Sequence, residues 1–548
     1  MHPPKDFSFK KFLIMNRWYL LLLLGLVFIS YVNALGNSFV SDDRGLVINM
    51  PIWDTSTILS NPYPPMRQFL YLVAYKIGGL NPALFRSFNI IFHAGTVMLI
   101  YTILCVMQKP KVGILAAALF AVHPILVESI TWITAGAHAQ YSFFFLLALL
   151  FYILPRKNTL NYAVSIGFYI LALLSSEKAV VLALAFPLFE FSFGSLIRSW
   201  KRIIPYFILS GFWVLLYLRL FTLRIEFFEG PQLIDSTFVN PLLQIPIAIT
   251  SYLQLIFWPN NLTIYHTELS FTLFEYIVRV IFFIIFLGVA AYCFRRNRLI
   301  FFWLTFFLVT LLPTINPFVH AWIVAERYIY LGTIGIVVTV AVIFARLGEN
   351  LKYKKTIYIV FSFIIFSLAI RTIVRNIDWQ NEDNLWLATK ETSPSSAQNH
   401  NNLGDYYGRH GDLENSVKEF KRAIELKPNY ADAYHNLGNA YRDMGRFEDA
   451  IKQYEKALSF NPGLWQSYHN IAAIYYSQKS FDRAIDYLQK GITINPQNPN
   501  LFVALSIVYF KQGEKSKATE AIATALKIDP NNNFTKEIFL QMQNNTLQ

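Results

Sequence analysis

Apolar residues fill the first two thirds of the chain in blocks of membrane length, and the last third changes to a helical alternation of apolar and polar positions that repeats every 34 residues. A bilayer span needs about 20 apolar residues. Blocks of this kind lie near 17–35, 82–107, 112–131, 138–154, 159–174, 179–197, 203–222, 271–294, 299–316, 327–346 and 356–374. Short loops rich in Lys and Arg stay on the cytoplasmic side. The loops at 108–111, 155–157, 198–202, 295–298 and 346–355 are of this type, and one crossing per block puts them all on the side of the basic N-terminus. Residues 242–259 are apolar enough to cross too, but a crossing there would expel the loops at 295–298 and 346–355. That segment therefore reads as a re-entrant or interfacial helix. It lies in a long outer loop, 223–270; the first outer loop is 36–81. No small-x-small cleavage site follows the first block, so it reads as a retained span. On this threading eleven spans leave everything after residue 375 on the outer side, together with the first outer loop.

The repeat blocks begin at Ala397, Ala431, Trp465 and Pro499. Position 7 holds Leu403, Leu437, Ile471 and Leu505; position 8 holds Gly404, Gly438, Ala472 and Ser506; position 11 is always tyrosine. Position 20 holds Ser416, Ala450, Ala484 and Ala518, and position 32 is always proline. This is the tetratricopeptide (TPR) pattern of two helices per repeat. Small residues at positions 8 and 20 allow close helix approach, and the proline ends the second helix. One helix pair cannot bury its own apolar face, so four must stack as a solenoid. The expected organisation is all-α: a polytopic membrane body over 1–375, a linker over 376–396, repeats over 397–532, and a capping helix and tail over 533–548. Asn402, Asn436 and Asn470 recur at position 6 and are the predicted grips for an extended peptide in the concave groove.

Composition narrows the class. Charged residues are 15% and hydrophobic residues 55% of the 548, against about a quarter charged in an average soluble domain. The net charge of +13 fits basic cytoplasmic loops. No basic stripe interleaved with aromatics points to nucleic acid. Cys105 and Cys293 lie in apolar runs and suggest neither a disulfide framework nor a zinc site.

The candidate chemistry is acidic and lies at the outer end of the first span. Asp42 and Asp43 are adjacent. Like charges disfavour joint ionisation and raise the pKa. A carboxylate so poised can take a proton from a hydroxyl or bind a divalent cation, and no residue set is assigned to a metal. Ionisable groups in or beside spans are costly and usually face a cavity or a partner. Arg327 is the leading candidate to hold an anionic phosphate, because its planar fork matches phosphate oxygens; Lys178 is the second. His93, His123, Glu128, His138, Glu177 and Glu326 form the expected supporting polar cluster.

Taken in order along the chain, these segments resemble the transmembrane-and-TPR O-mannosyltransferases, a family of the GT-C glycosyltransferase class that glycosylates cadherins in the ER, and their prokaryotic relatives. The resemblance is carried by FVSDDRGLVIN at 39–49, NIIFH at 89–93, FAVHPILVESITW at 120–132, LLSSEK at 173–178, YLQLIFWPNNL at 252–262, AERYIY at 325–330, and Arg375-Asn376 with Trp379 and Glu382. It implies inverting transfer of a mannose-like hexose from a polyprenyl- or dolichyl-phosphate sugar to a hydroxyl of a polypeptide held by the repeats. Asp42-Asp43 then correspond to the catalytic pair, with a slight preference for Asp43 as the base. The chain departs from the family where a Gly-Arg pair is expected, reading Gly136-Ala137-His138, and where Lys-Glu becomes Glu177-Lys178. Four repeats are few for the animal enzymes, and the reading leans to a bacterial relative in the inner membrane with its repeats in the periplasm; a eukaryotic one would place them in the ER lumen. The rival readings are a non-catalytic membrane-anchored TPR scaffold for protein assembly and a lipid or polysaccharide transporter. An anchor needs one span, and a transporter places its ionisable groups at mid-membrane rather than towards the outer face.

Overall fold

The computed structural model describes residues 7–48, 64–155, 159–225, 241–267, 269, 271–314, 323–349 and 352–546. Parts of both predicted outer loops, 49–63 and 226–240, lie outside them. The described elements are helices, as the patterning predicts. The chain divides into two compact units, Met1–Thr392 and Ser393–Gln548.

The first unit contains α1 (Phe9–Tyr31), α2 (Pro65–Gly78), α3 (Pro82–Val106), α4 (Pro110–Ala121), α5 (Val127–Thr131), α6 (Ala137–Ile153), α7 (Thr159–Ser175), α8 (Ala185–Phe193), α9 (Leu196–Ile225), α10 (Pro241–Phe257), α11 (Leu273–Arg296), α12 (Arg298–Leu311), α13 (Thr333–Leu347), α14 (Lys354–Asp378) and α15 (Glu382–Thr389). Five described segments are long and apolar enough to cross a bilayer: Phe9–Gly36, Pro82–Val106, Thr134–Ile153, Leu273–Arg296 and Lys354–Asp378. Helix α4 and the segment Pro124–Thr131 would make a sixth, bent by 58°. Length and apolarity alone thus do not reach the eleven predicted spans. Several runs are interrupted: 179–197 opens in a 3₁₀ turn, Glu177–Leu184, and 327–346 begins in another, Glu326–Ile329. The apolar segment 242–259 forms α10, too short for a straight crossing.

Helix α3 is the hub, packed against α1, α2, α4 and α6. Arg86, Asn89 and His93 fall on one of its faces by their spacing, and all three are buried. Arg86 donates to the carbonyls of Thr131 (2.7 Å), Asn37 (2.7 Å) and Ser38 (2.9 Å). Asn89 donates to those of Ile130, Trp132 and Ile133 at 3.3–3.4 Å. One helix face thereby fastens both the main chain leading to Asp42-Asp43 and the turn after α5. Asn376 adds a second tie: it donates to the Ser30 carbonyl at 2.8 Å and accepts from Thr131 Oγ1 at 2.8 Å. The region 376–396, drawn from sequence as a linker, begins in α14 and contains α15, and the boundary between the compact units falls after Thr392.

The second unit is four helix pairs, α16–α17 (Ala397–Arg409, Leu413–Leu426), α18–α19 (Ala431–Asp443, Phe447–Phe460), α20–α21 (Trp465–Ser477, Phe481–Ile494) and α22–α23 (Pro499–Gln512, Lys515–Ile528), with α24 (Asn533–Gln543) packed on the last. Position 8 has to be small: a Cβ on Gly404 would lie 2.6 Å from the Phe420 ring, and one on Gly438 2.6 Å from that of Tyr454. The turn within each pair uses a left-handed residue at position 15. Three are glycines, Gly411, Gly445 and Gly513; the third repeat puts Lys479 there at φ 60°, a conformation that costs a side-chain-bearing residue roughly 1–2 kcal/mol.

Candidate active site

The two aspartates of the first outer loop are placed differently. Asp43 is sealed, with 0% exposure. Its Oδ2 accepts the Val40 N–H at 3.2 Å and its Oδ1 the Thr134 N–H at 3.0 Å, so it pins its own loop to the turn before α6. Burial raises its pKa to about 7, against the pull of those bonds and of Arg86. Asp42 is exposed at the surface of the unit, yet protein surrounds it closely enough that desolvation raises its pKa over the opposing fields of Arg327 and Arg67.

Arg327 lies in the 3₁₀ turn Glu326–Ile329. Its backbone N–H donates to Glu128 Oε2 at 2.8 Å and its Nη1 pairs with Glu128 Oε1. Glu128 is fully buried, and the arginine is 16% exposed. The guanidinium stands 5.5 Å from the centre of the Trp132 ring and 5.0 Å from that of Tyr328. Glu128 thus occupies one end of the predicted phosphate grip; Nη2 and Nε are unengaged among the described residues. Lys178 comes to the same place: its Nζ sits 3.6 Å over Tyr328. Burial lowers its pKa to about 7, with Arg327 pushing the same way and Glu177 and Glu128 opposing. Cation–π contacts of this kind contribute up to about 2 kcal/mol when desolvated. His138 completes the group, its ring 6.1 Å from that of Tyr328, its Nδ1 buried without a hydrogen-bond partner among the described residues.

The structure therefore gathers His138, Lys178 and the Glu128–Arg327 pair around Tyr328, with half-buried Glu177 beside Lys178 and Asp42 within the field of Arg327. Two members were not singled out from sequence. Arg67, at the start of α2, acts on both Asp42 and His138, and Tyr328 is the aromatic platform. Neither carried a pattern; an arginine one turn into a helix that opens Pro64-Pro65 was the only cue for the first.

Three predicted members lie elsewhere. His93 is a core residue: its Nδ1 bonds Tyr330 Oη at 2.8 Å, between the rings of Tyr31 and Phe120. His123 N-caps the turn at Pro124 and holds the Ile256 carbonyl through Nε2 at 2.9 Å. Glu326, fully buried, pairs elsewhere with buried Arg375 (3.4 Å), and the partly buried ring of His266 lies 3.5 Å away. Arg375 also pairs with Asp378 at 2.9 Å. In each case burial in an apolar body required a polar partner, and the nearest one was structural.

The repeat asparagines bond one another. Asn436 donates to Asn401 Oδ1 at 3.0 Å, and Asn470 donates to Asn439 Oδ1 at 2.9 Å, which also accepts from Tyr454 Oη at 2.7 Å. Asn402 is half-buried on α16. Asn439 and Asn470 line a groove of about 580 Å³ shared with His435, Arg442, His469 and Trp465.

The repeats match the tetratricopeptide repeat model over 431–464, 465–498 and 499–532 and a TPR repeat model over 404–443. The human protein O-mannosyl-transferase TMTC3 is 23% identical over 74% of this chain and 51% of its own. A Caenorhabditis elegans protein O-mannosyl-transferase, F38B6.6, is 26% identical over 74% of this chain and 62% of its own, and human TMTC4 is 23% identical over 74% and 66%. The chain spans about half to two thirds of the length of these relatives. They are animal proteins, and the expected bacterial kinship is not borne out. The order of motifs, the repeats and this shared length together make the chain a homologue of the transmembrane-and-TPR protein O-mannosyl-transferases.

Proposed function

We propose that the chain is a membrane glycosyltransferase that moves a mannose-like hexose from a polyprenyl- or dolichyl-phosphate donor to a hydroxyl of a polypeptide, on the exoplasmic face of its membrane. The observation that carries this reading is Asp42: an accessible carboxylate with raised pKa, within the fields of Arg327 and Arg67. A carboxylate whose pKa is raised is the stronger base. In the transfer, Asp42 takes the proton of the acceptor hydroxyl as its oxygen bonds the anomeric carbon and the carbon–phosphate oxygen bond breaks. The lipid phosphate leaves with the bonding pair. Its charge is met by Lys178, by the unengaged side of Arg327 and by Arg67, and preorganised cations of this kind supply the largest share of such rate enhancements. The base is assigned to Asp42 rather than to Asp43, because a sealed carboxylate that accepts two backbone N–H groups cannot touch an acceptor; Asp43 is a positioning residue. The TPR unit supplies the polypeptide and raises its local concentration at the membrane.

The test is sugar transfer by full-length chain in membranes supplied with a lipid-linked hexose, read by mass spectrometry of the acceptor. Asp42→Asn should lower transfer by about 10²–10⁴-fold, the range of general-base contributions, with unchanged expression. Undiminished transfer removes the assignment. If the wild-type chain transfers nothing while residues 393–548 capture partners from the full chain's membrane, the scaffold reading replaces it.

A further inference from the structure

Away from the candidate active site, a lateral groove of about 520 Å³ runs between α10 and α11, within the size range of small-ligand sites. Its walls are mostly apolar, with Leu253 and Phe257 from α10 and Phe274, Val278 and Phe282 from α11, and Gln254 and Glu275 among the polar lining. Inside it is one cation. Arg279 is half-buried six residues into a membrane-length helix. Its Nη1 donates to Thr250 Oγ1 at 2.8 Å and Ser251 Oγ at 3.3 Å, and its guanidinium lies 4.1 Å over the Phe271 ring. It has no ion pair among the described residues. Glu275, one turn earlier, also lines the groove and its field reaches Arg279, but it is exposed to solvent and its Oε2 is engaged in the helix cap by Thr272 N–H (2.8 Å) and Oγ1 (2.9 Å). A charge on the lipid-facing side of a span is costly unless a partner reaches it, and the two hydroxyls engage only one end of the fork.

We infer that this groove binds an anionic phospholipid of the surrounding bilayer, its phosphate on Arg279 and one acyl chain along the Leu253–Phe257 and Val278–Phe282 walls. Charge complementarity sets the headgroup: the planar guanidinium suits phosphate oxygens. The depth agrees. Six residues of helix place Arg279 about 9 Å below the start of α11, within snorkelling reach of the headgroup region. Phe257, Trp258 and Phe274, 62%, 70% and 75% exposed, rim the mouth, as aromatic side chains do at membrane interfaces. The occupant is not the reacting donor. Tyr252 and Ile256 face the other way, Tyr252 Oη accepting the Ala325 N–H at 3.1 Å and the Ile256 carbonyl bonding His123. Thr250, Leu253, Gln254 and Phe257 are on the opposite side of α10 by helical spacing, so the body of that helix separates the groove from Arg327.

Native mass spectrometry of the purified full chain, loaded separately with phosphatidylglycerol, phosphatidylcholine and a polyprenyl phosphate, tests this. The wild-type chain should retain phosphatidylglycerol at least tenfold over phosphatidylcholine. Arg279→Gln should abolish that preference, Arg279→Lys should keep most of it, and Leu253→Trp should cut retention by filling the groove. Monodisperse elution is the folding control, and Arg279→Lys with Leu253→Trp decide the matter if Arg279→Gln fails it. Equal retention of the two phospholipids, or wild-type retention in Arg279→Gln or Leu253→Trp, overturns the inference. So does displacement of phosphatidylglycerol by polyprenyl phosphate that Leu253→Trp blocks, which would make the groove the donor's.

Discussion

Asp43→Asn separates what the sealed carboxylate does for folding from what it does for the reaction. Burial moves its pKa from an ordinary 3.8 to about 7, a difference worth roughly 4 kcal/mol. The native state then holds a proton that the unfolded chain has lost, so stability is fully present below pH 4 and falls as pH rises to about 7. Asparagine keeps the volume and one acceptor but turns an NH₂ towards the second backbone N–H, which costs about 1–3 kcal/mol at every pH. The stability of the variant relative to wild type should therefore improve by up to about 4 kcal/mol between pH 4 and pH 8. Unfolding titrations with SDS in lipid micelles, followed by tryptophan fluorescence, give the two curves. Transfer should run the opposite way: holding Val40 N–H in the loop and Thr134 N–H in the turn before α6 at full strength takes both oxygens of the ionised carboxylate, so wild-type activity should climb through pH 7. Parallel stability curves, within 1 kcal/mol over the whole window, would refute the reasoning.

A Cβ on Gly136 would fall 1.9 Å from Asn89 Oδ1; Gly136→Ala should displace the Asn89 amide from its three carbonyls and cost about 1–3 kcal/mol, and a cycle with Asn89→Ala should be strongly non-additive. Lys479→Gly should stabilise the full chain by about 1 kcal/mol by relieving the left-handed lysine, read as a rise in the melting temperature of the TPR transition, while Gly445→Lys should do the reverse. Lys178, with its pKa near 7, should lose its charge as pH rises through neutrality; KM for the lipid-linked donor should increase above pH 7, and Lys178→Arg should flatten that rise.

The repeat unit was legible because its physics is local. A 34-residue period fixes helix length, contact spacing and turn position at once, and even the glycine requirement at position 8 could be read before the Phe420 and Tyr454 rings were located. The membrane unit was legible only in outline. Hydropathy finds apolar length, but the 3₁₀ turns at Glu177 and Glu326 and the break at His123-Pro124 interrupt runs that look continuous by composition. Its polar residues were found readily and sorted poorly. His93 and Arg67 look alike in sequence, each a lone ionisable group near apolar neighbours. Only the fold decides that His93 meets Tyr330 Oη inside a ring of aromatics and that Arg67 faces Asp42. Which residue a buried charge meets is a long-range fact: Arg86 reaches Asn37 and Thr131, and Arg327 reaches Glu128, 199 positions away.

The adjacent aspartates show why such sorting matters. Neighbours in sequence point to opposite faces in a strand and about 100° apart in a helix, so carboxylates on adjacent residues are poorly suited to share a substrate. Here one is turned inwards and bonded by Val40 and Thr134, and the other outwards towards Arg327 and Arg67. The inward carboxylate stabilises nothing at neutral pH by being charged, since its burial is a net cost. What it does is couple the outer loop to the turn that precedes α6, which carries His138. Retaining a destabilising charge at that junction is intelligible if the position of Asp42 relative to Lys178 and Arg327 is what the chain protects. Asp43→Asn, which removes the charge and loosens the junction by one bond, should then gain on the wild type in stability only as pH rises towards 8, and it should transfer worse at every pH.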